Sequence, residues 1–326
     1  MGCDCVMRSV RRSVAVGLAA GLAAAAGVLG AQTYMSYQRD IRAARERALA
    51  CSQVIETACG PIEYATSGDG PPVLVVHGAT GGYDQGLMIA RYLVGDGFHF
   101  IVPSRFGYLR TPLPADATAA AQADAYACLL DALNIRRAAI VGASAGAPSS
   151  MQFALRYPDR SSALVLVVPA TYAPPPPSPA QPSPASDLML KVIRSDFAIW
   201  LAMRVARSSV MSLLGVPSEV QARLTPAQEE QLSELMQMLL PISMRLPGLL
   251  NDANITSSLD RYPLESITAP TLVISVVDDP YNTFIGAQYT AQHIPGARFI
   301  GLGSGGHLLI GQEERIRSET AEFLKI

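Results

Sequence analysis

The stretch AAIVGASAG, Ala138 to Gly146, decides the fold: an apolar run ends in a serine between two glycines, and a helix-like segment from Pro148 to Tyr157 follows. A short continuous apolar run bounded by glycine reads as a strand buried on both faces of a parallel sheet. At a strand-turn-helix elbow, a Cβ at Gly142 or Gly146 would crowd the backbone where strand and helix approach, so the bend requires glycine there. Such a bend holds Ser144 Oγ clear of its neighbours. It also sets the Ala145 N–H at the positive end of a helix, where an oxyanion is stabilised. A chain with 26 glycines meets this five-residue pattern by chance, so its meaning rests on what surrounds it.

The surroundings alternate. SQVIETACGPIEYATSG, Ser52 to Gly68, reads as two short strands joined at Gly60-Pro61, and VLVVHG from Val73, FHFIVP from Phe98, ALVLVV from Ala163, TLVISVVDD from Thr271 and ARFIGL from Ala297 read as further strands. Helical spacing lies between them in Gln85 to Gly95, Asp116 to Leu133, Ala287 to His293 and finally Glu313 to Lys325. Strands alternating with helices predict a doubly wound α/β sheet. The pattern breaks between residues 171 and 262. Pro174 to Pro184 holds seven prolines in eleven positions, a stiff connector, and Asp187 to Asp260 shows helical periodicity. We therefore expect a core of residues 52–170 and 263–326, with a proline-rich connector and helical cap inserted between its halves.

A catalytic serine needs a base and an acid that orients the base. Of the four histidines, His77 ends a strand before Gly78 and would shape the neighbouring loop, His99 lies within a strand and His293 lies on a helix. His307, in the glycine-rich GSGGHLL loop after the last strand, stands where catalytic loops collect. The acid should end the preceding strand, where Asp278 and Asp279 stand side by side. Adjacent residues point to opposite faces, and the turn before Pro280 favours Asp279. The second oxyanion donor is expected from HGATGG, with the N–H of Ala79 facing Ser144 and Gly78, Gly81 and Gly82 allowing the loop to fold toward it.

With HG at His77 and Gly78, GASAG around Ser144, VVDDP at Asp279 and GSGGH at His307, the region from Ser52 to Ile326 resembles the α/β-hydrolase family. Serine, acid and base also follow that family's chain order. The resemblance implies a mostly parallel eight-stranded sheet with helices on both faces and a helical cap inserted after the sixth strand. Two departures stand out. Val276 occupies the position three before the acid where the family often has glycine, and the family's DxRGxGxS segment reads SRFGYLRT from Ser104.

At 326 residues with 49% hydrophobic content, the chain has the material for a sizeable core. A net charge of -2 and the lack of a basic stripe remove the electrostatic case for nucleic acid. No motif asks for a metal or an organic cofactor, and none is expected. The N-terminal 1–50 form a separate object: no charged residue stands between Arg12 and Arg39, and Val14 to Ala31 is an 18-residue apolar run. As a helix it would reach roughly 27 Å at ~1.5 Å per residue, close to the ~30 Å hydrocarbon core of a bilayer. We expect a membrane anchor over about 14–31 followed by a juxtamembrane helix, with the catalytic domain outside the cytoplasm. A cleaved secretion signal ending before Ala31 is the alternative.

Five cysteines remain. Along an extended strand Cys51 and Cys59 would stand roughly 26 Å apart, far beyond the ~7 Å that a disulfide spans. Free thiols are expected, with Cys128 buried in a helix.

A nucleophilic serine argues against the epoxide hydrolase and haloalkane dehalogenase branches, which resemble this fold but use a carboxylate. The expected activity is that of a serine carboxylesterase on small ester substrates. Met189, Met203, Met211, Met236, Met238 and Met244 in the insertion suggest an apolar pocket, or equally the filling of the cap's own core. Perhydrolysis, C–C bond hydrolysis and prolyl aminopeptidase activity could use the same triad. A membrane-tethered binding module without turnover is the reading from another class.

Overall fold

The computed structural model describes residues 3–174 and 193–325, with side chains from Ala25 onward. The proline run beyond Pro174 and the cap positions Leu188, Met189 and Val192 lie outside the described residues. Eight strands form one sheet: β1 (Gln53–Thr57), β2 (Gly60–Ser67), β3 (Pro72–Val76), β4 (His99–Pro103), β5 (Ala138–Ala143), β6 (Ser161–Val167), β7 (Thr271–Val276) and β8 (Arg298–Leu302). Their order is β1-β2-β4-β3-β5-β6-β7-β8. β2 is antiparallel to both β1 and β4, and every pairing from β4 to β8 is parallel.

The central strands read as continuous apolar runs because both faces are covered. On one face Leu74, Val76, Ile140, Leu164, Leu166 and Val273 pack with α3 (Ala119–Ala132), α4 (Ala147–Arg156) and α10 (Thr283–His293). On the other, the alternate residues Val73, Val75, Val141, Val165, Val167 and Ile274 pack with α2 (Tyr83–Ile89), the π-helical turn Ala90–Val94 and α11 (Glu313–Leu324). The period-2 alternation thus feeds two cores at once. Each fully buried aliphatic side chain contributes about 1.5–3 kcal/mol by leaving water.

Between β6 and β7 the described chain forms α5 (Asp196–Val205), α6 (Arg207–Leu213), α7 (Ser218–Gln221), α8 (Pro226–Met238) and α9 (Leu246–Thr256). Thr225 starts α8 with a full capping box to Gln228, and Pro226 stands in the first turn, where its missing N–H costs no bond. These helices build a third core around Trp200, Leu232 and Met236, which α1 (Cys3–Ala50) joins with Ile41 and Ala44. Ile41, Ala44 and Ala48, at helical spacing, are the buried positions of α1 among the described residues. Tyr37 meets Trp200 edge-on at 5.5 Å, and Asp40 accepts from Trp200 Nε1 at 3.1 Å and pairs with Arg204 at 2.5 Å. Among the described residues no helix is long and apolar enough to cross a membrane. Most of the anchor expected over 14–31 precedes Ala25, outside the described side chains.

The expectation of free thiols needs correction. Cys51 is free and exposed, but Cys59 and Cys128 form a disulfide, with their Cα atoms 5.9 Å apart. The strand argument rules out only the Cys51–Cys59 pair. Cys59 sits in the β1–β2 turn, which folds onto α3 where Cys128 is half-buried, a contact 69 residues apart in sequence.

Candidate active site

The parallel strands end together at one edge of the sheet, and the loops that leave them carry the predicted residues. β5 ends at Ala143, a single 3-10 turn spans Ser144–Gly146, and α4 begins at once. Ser144 is held at φ 48°, the left-handed region that a non-glycine residue occupies only at a cost. The flanking glycines are required by contact: a Cβ on Gly142 would overlap Ser150 Oγ, and one on Gly146 would stand 2.6 Å from the His77 carbonyl oxygen.

His307 Nε2 lies 2.9 Å from Ser144 Oγ, and its Nδ1 lies 2.9 Å from Asp279 Oδ2. A carboxylate only accepts, so Nδ1 carries the proton and Nε2 presents its lone pair to the serine hydroxyl. Asp279 is buried, which by itself would raise its pKa. Hydrogen bonds from His307, the Thr283 hydroxyl and the Tyr281 N–H outweigh burial and hold the carboxyl below the usual range. The acid therefore stays ionised through the ordinary carboxylate range, and its support is lost only as pH falls through that lowered value.

Asp278 has a different task. Its carboxylate accepts the N–H groups of Gly305 and Gly306 at 3.0 and 2.9 Å, fixing the glycine loop that delivers His307. The helical insertion reaches the same loop. The Gly215 carbonyl accepts the His307 N–H at 2.8 Å. The Tyr281 ring packs edge-on against the imidazole at 4.8 Å, and its hydroxyl donates to the Leu213 carbonyl.

The HGATGG loop lies against the serine, close enough that a Cβ on Gly78 would come 3.2 Å from Ser144 Cβ. Neither the Ala79 nor the Ala145 N–H enters a turn or loop hydrogen bond among the described residues. Gln85 Oε1 accepts the Gly78 N–H at 2.8 Å. His77 is wholly buried, and its Nε2 accepts the Arg105 N–H at 3.0 Å, so Nδ1 donates to the Gly78 carbonyl at 2.7 Å. Burial, with Arg105 nearby, pushes its pKa well below the usual histidine value and keeps it neutral.

All nine predicted site residues, Ser144, Asp279, His307, Ala79, Ala145, His77, Gly78, Gly142 and Gly146, therefore converge on one edge of the sheet. Among the described residues no group of three or more His, Cys, Asp or Glu is placed to hold a metal. Met211 and Met236 belong to the insertion's own core, which favours the packing explanation for these two methionines. Sequence reasoning missed Asp278 as a loop holder, and it missed Arg105, Gly215, Arg245 and Asp252 entirely. Only the unusual SRFGYLRT segment offered a signal, because it contains Arg105.

The family profile described as alpha/beta hydrolase fold matches residues 71–314. An uncharacterized hydrolase of Bacillus subtilis, YcgS, is 28% identical over 273 residues, covering 81% of this chain and 94% of that protein. An alpha/beta hydrolase fold protein from Nakamurella multipartita superposes with a TM-score of 0.67 at 31% identity, covering 84% of this chain and 99% of its own. A bacterial membrane phospholipase A superposes with a TM-score of 0.61 at 21% identity, and that likeness of fold spans 96% of this chain and 98% of its own. With the profile covering most of its length and the sheet order, elbow and loops described above, the chain belongs to the α/β hydrolase fold family.

Proposed function

We propose that the protein is a serine hydrolase that cleaves carboxylic esters through an acyl-enzyme on Ser144. The observation that carries this reading is the continuous hydrogen-bonded line from Ser144 Oγ through His307 to Asp279. In the proposed reaction His307 Nε2 takes the hydroxyl proton as Oγ attacks the ester carbonyl, and Asp279 stabilises the imidazolium. The Ala79 and Ala145 N–H groups hold the oxyanion. The imidazolium then returns the proton to the leaving alcohol, and water, activated by His307, releases the acid.

A fluorophosphonate probe tests the reading. Wild-type protein should form one adduct on Ser144, lost in Ser144→Ala and slowed by at least 10³-fold in His307→Ala. Absence of a Ser144 adduct on folded wild-type protein would favour the non-catalytic binding module. A series of p-nitrophenyl esters of rising chain length then measures the acyl preference.

The same proposal keeps the N-terminal helix as a single membrane anchor with the catalytic domain outside the cytoplasm. Two features support it. The fold likeness to the membrane phospholipase A is long enough to take in most of α1, and disulfides such as Cys59–Cys128 persist mainly in oxidising compartments. A reporter fused after Gln53 should be active only when exported; activity in the cytoplasm would reverse the topology.

A further inference from the structure

Arg105 lies two residues beyond β4 and is buried with its partner Asp252, which belongs to α9 of the insertion. Its guanidinium works as a fork. Nη1 and Nη2 donate to the two Asp252 oxygens at 2.6 Å each, Nε donates to the His77 carbonyl at 2.9 Å, and Nη2 also donates to the Gly78 carbonyl at 3.0 Å. Tyr108 adds a hydroxyl to Asp252 at 2.5 Å. The Gly78 carbonyl thus receives two donors, Arg105 Nη2 and His77 Nδ1.

That carbonyl belongs to the same peptide unit as the Ala79 N–H. A trans peptide is planar, so its N–H points opposite to its C=O. Holding the Gly78 oxygen from the buried side therefore turns the Ala79 N–H the other way, and donors on the carbonyl polarise that N–H as well. We propose that Arg105 is the positioning residue of the oxyanion loop and that Asp252 places the loop under the control of the helical insertion. This rests on the reading of Ala79 as an oxyanion donor. Burial acts against the Arg105 charge, and Asp252 more than restores it, raising the pKa above the usual arginine value. An insertion lifted away from the core would leave that charge buried without its partner. The seated insertion and the ordered loop thus form one cooperative state.

The experiment compares Asp252→Asn, Arg105→Lys and Tyr108→Phe with wild type. It measures melting temperature, fluorophosphonate labelling rate, ester kcat and KM, and amide hydrogen exchange of the peptide covering residues 77–85. Asp252→Asn keeps the shape and removes the charge. Arg105→Lys keeps the charge and loses the fork, so it supplies the same test if the first variant fails to fold. In each, labelling and kcat should fall at least tenfold with KM within threefold, and exchange in the loop peptide should quicken about tenfold. Tyr108→Phe, which leaves the ion pair intact, should stay within threefold of wild type. Folded Asp252→Asn or Arg105→Lys with wild-type kcat and wild-type loop exchange would overturn the proposal, as would a Tyr108→Phe variant impaired as deeply as the other two. A wild-type protein that never labels would count against the hydrolase reading alone, because the exchange measurement still decides whether Arg105 and Asp252 order the loop.

Discussion

On the His307 side of Ser144 the loops are held through backbone: the Gly215 carbonyl accepts the His307 N–H, and the N–H groups of Gly305 and Gly306 reach Asp278. On the other side, the loop from His77 to Gly82 is held by buried charge. Arg105 grips the His77 and Gly78 carbonyls while paired with Asp252, and Arg245 grips the Gly81 carbonyl at 2.5 Å while paired with Asp84. The helical insertion takes part on both sides, through Gly215 on one and through Asp252 and Arg245 on the other. The first side rests on a close backbone approach anchored by one half-buried carboxylate, and the second on two ion pairs with buried arginines, so the two should respond differently to added bulk and to lost charge.

The sharpest test of the His307 side is Gly215→Ala, which adds one methyl and no charge. Gly215 sits at φ 82°, and a Cβ there would overlap His307 Cβ. Displacing the imidazole by about 1 Å should lower kcat by about 100-fold, read by ester turnover at saturating substrate. Wild-type turnover in a folded Gly215→Ala protein would break the comparison. Next in size comes Asp252→Asn on the other side, with its tenfold or greater loss. The smallest effect is expected for Asp278→Ala, which removes the acceptor of two N–H groups but leaves the Gly215 contact in place. It should slow turnover by about tenfold or less and lower stability by about 1–3 kcal/mol, measured by urea unfolding. A loss larger than that of Gly215→Ala would mean that the carboxylate, rather than the shape of the glycine loop, holds His307.

How much of this was legible in the sequence follows from how each contact is encoded. β3, β5, β6 and β7 were readable because strands buried on both faces leave unbroken apolar runs. Ser144 and Asp279 were readable because each follows such a run, and His307 because it follows the last strand at the same end of the sheet, so chain order alone brings the three together. The insertion's contribution was not readable. Arg105 meets Asp252 across 147 residues, and neither residue lies in a pattern that names its partner. Gly215 looks like any turn glycine until His307 is known to lie against it. The Cys59–Cys128 pair was missed because only the neighbouring cysteine was weighed, whereas the hairpin turn delivers Cys59 to α3. The arginines that follow the apolar run carry no pattern that names their partners. In the fold Arg39 pairs with Asp40 at the start of the docked half of α1, Arg45 faces Asp196, and Arg47 reaches the Gln237 carbonyl.

α1 changes character partway along its length. From Ala25 to Gln32 every described side chain is exposed, and the first fully buried residue is Ile41. Among the described residues, the contacts that tie the helix to the insertion, from Tyr37 through Arg47, lie downstream of that bare stretch. A chain severed near Ala31 would therefore give up no buried side chain among the described residues and would keep both sets of contacts around Ser144. The helix is thus a splint with a free end: its second half braces the insertion, while the stretch from Ala25 to Gln32 braces nothing among the described residues.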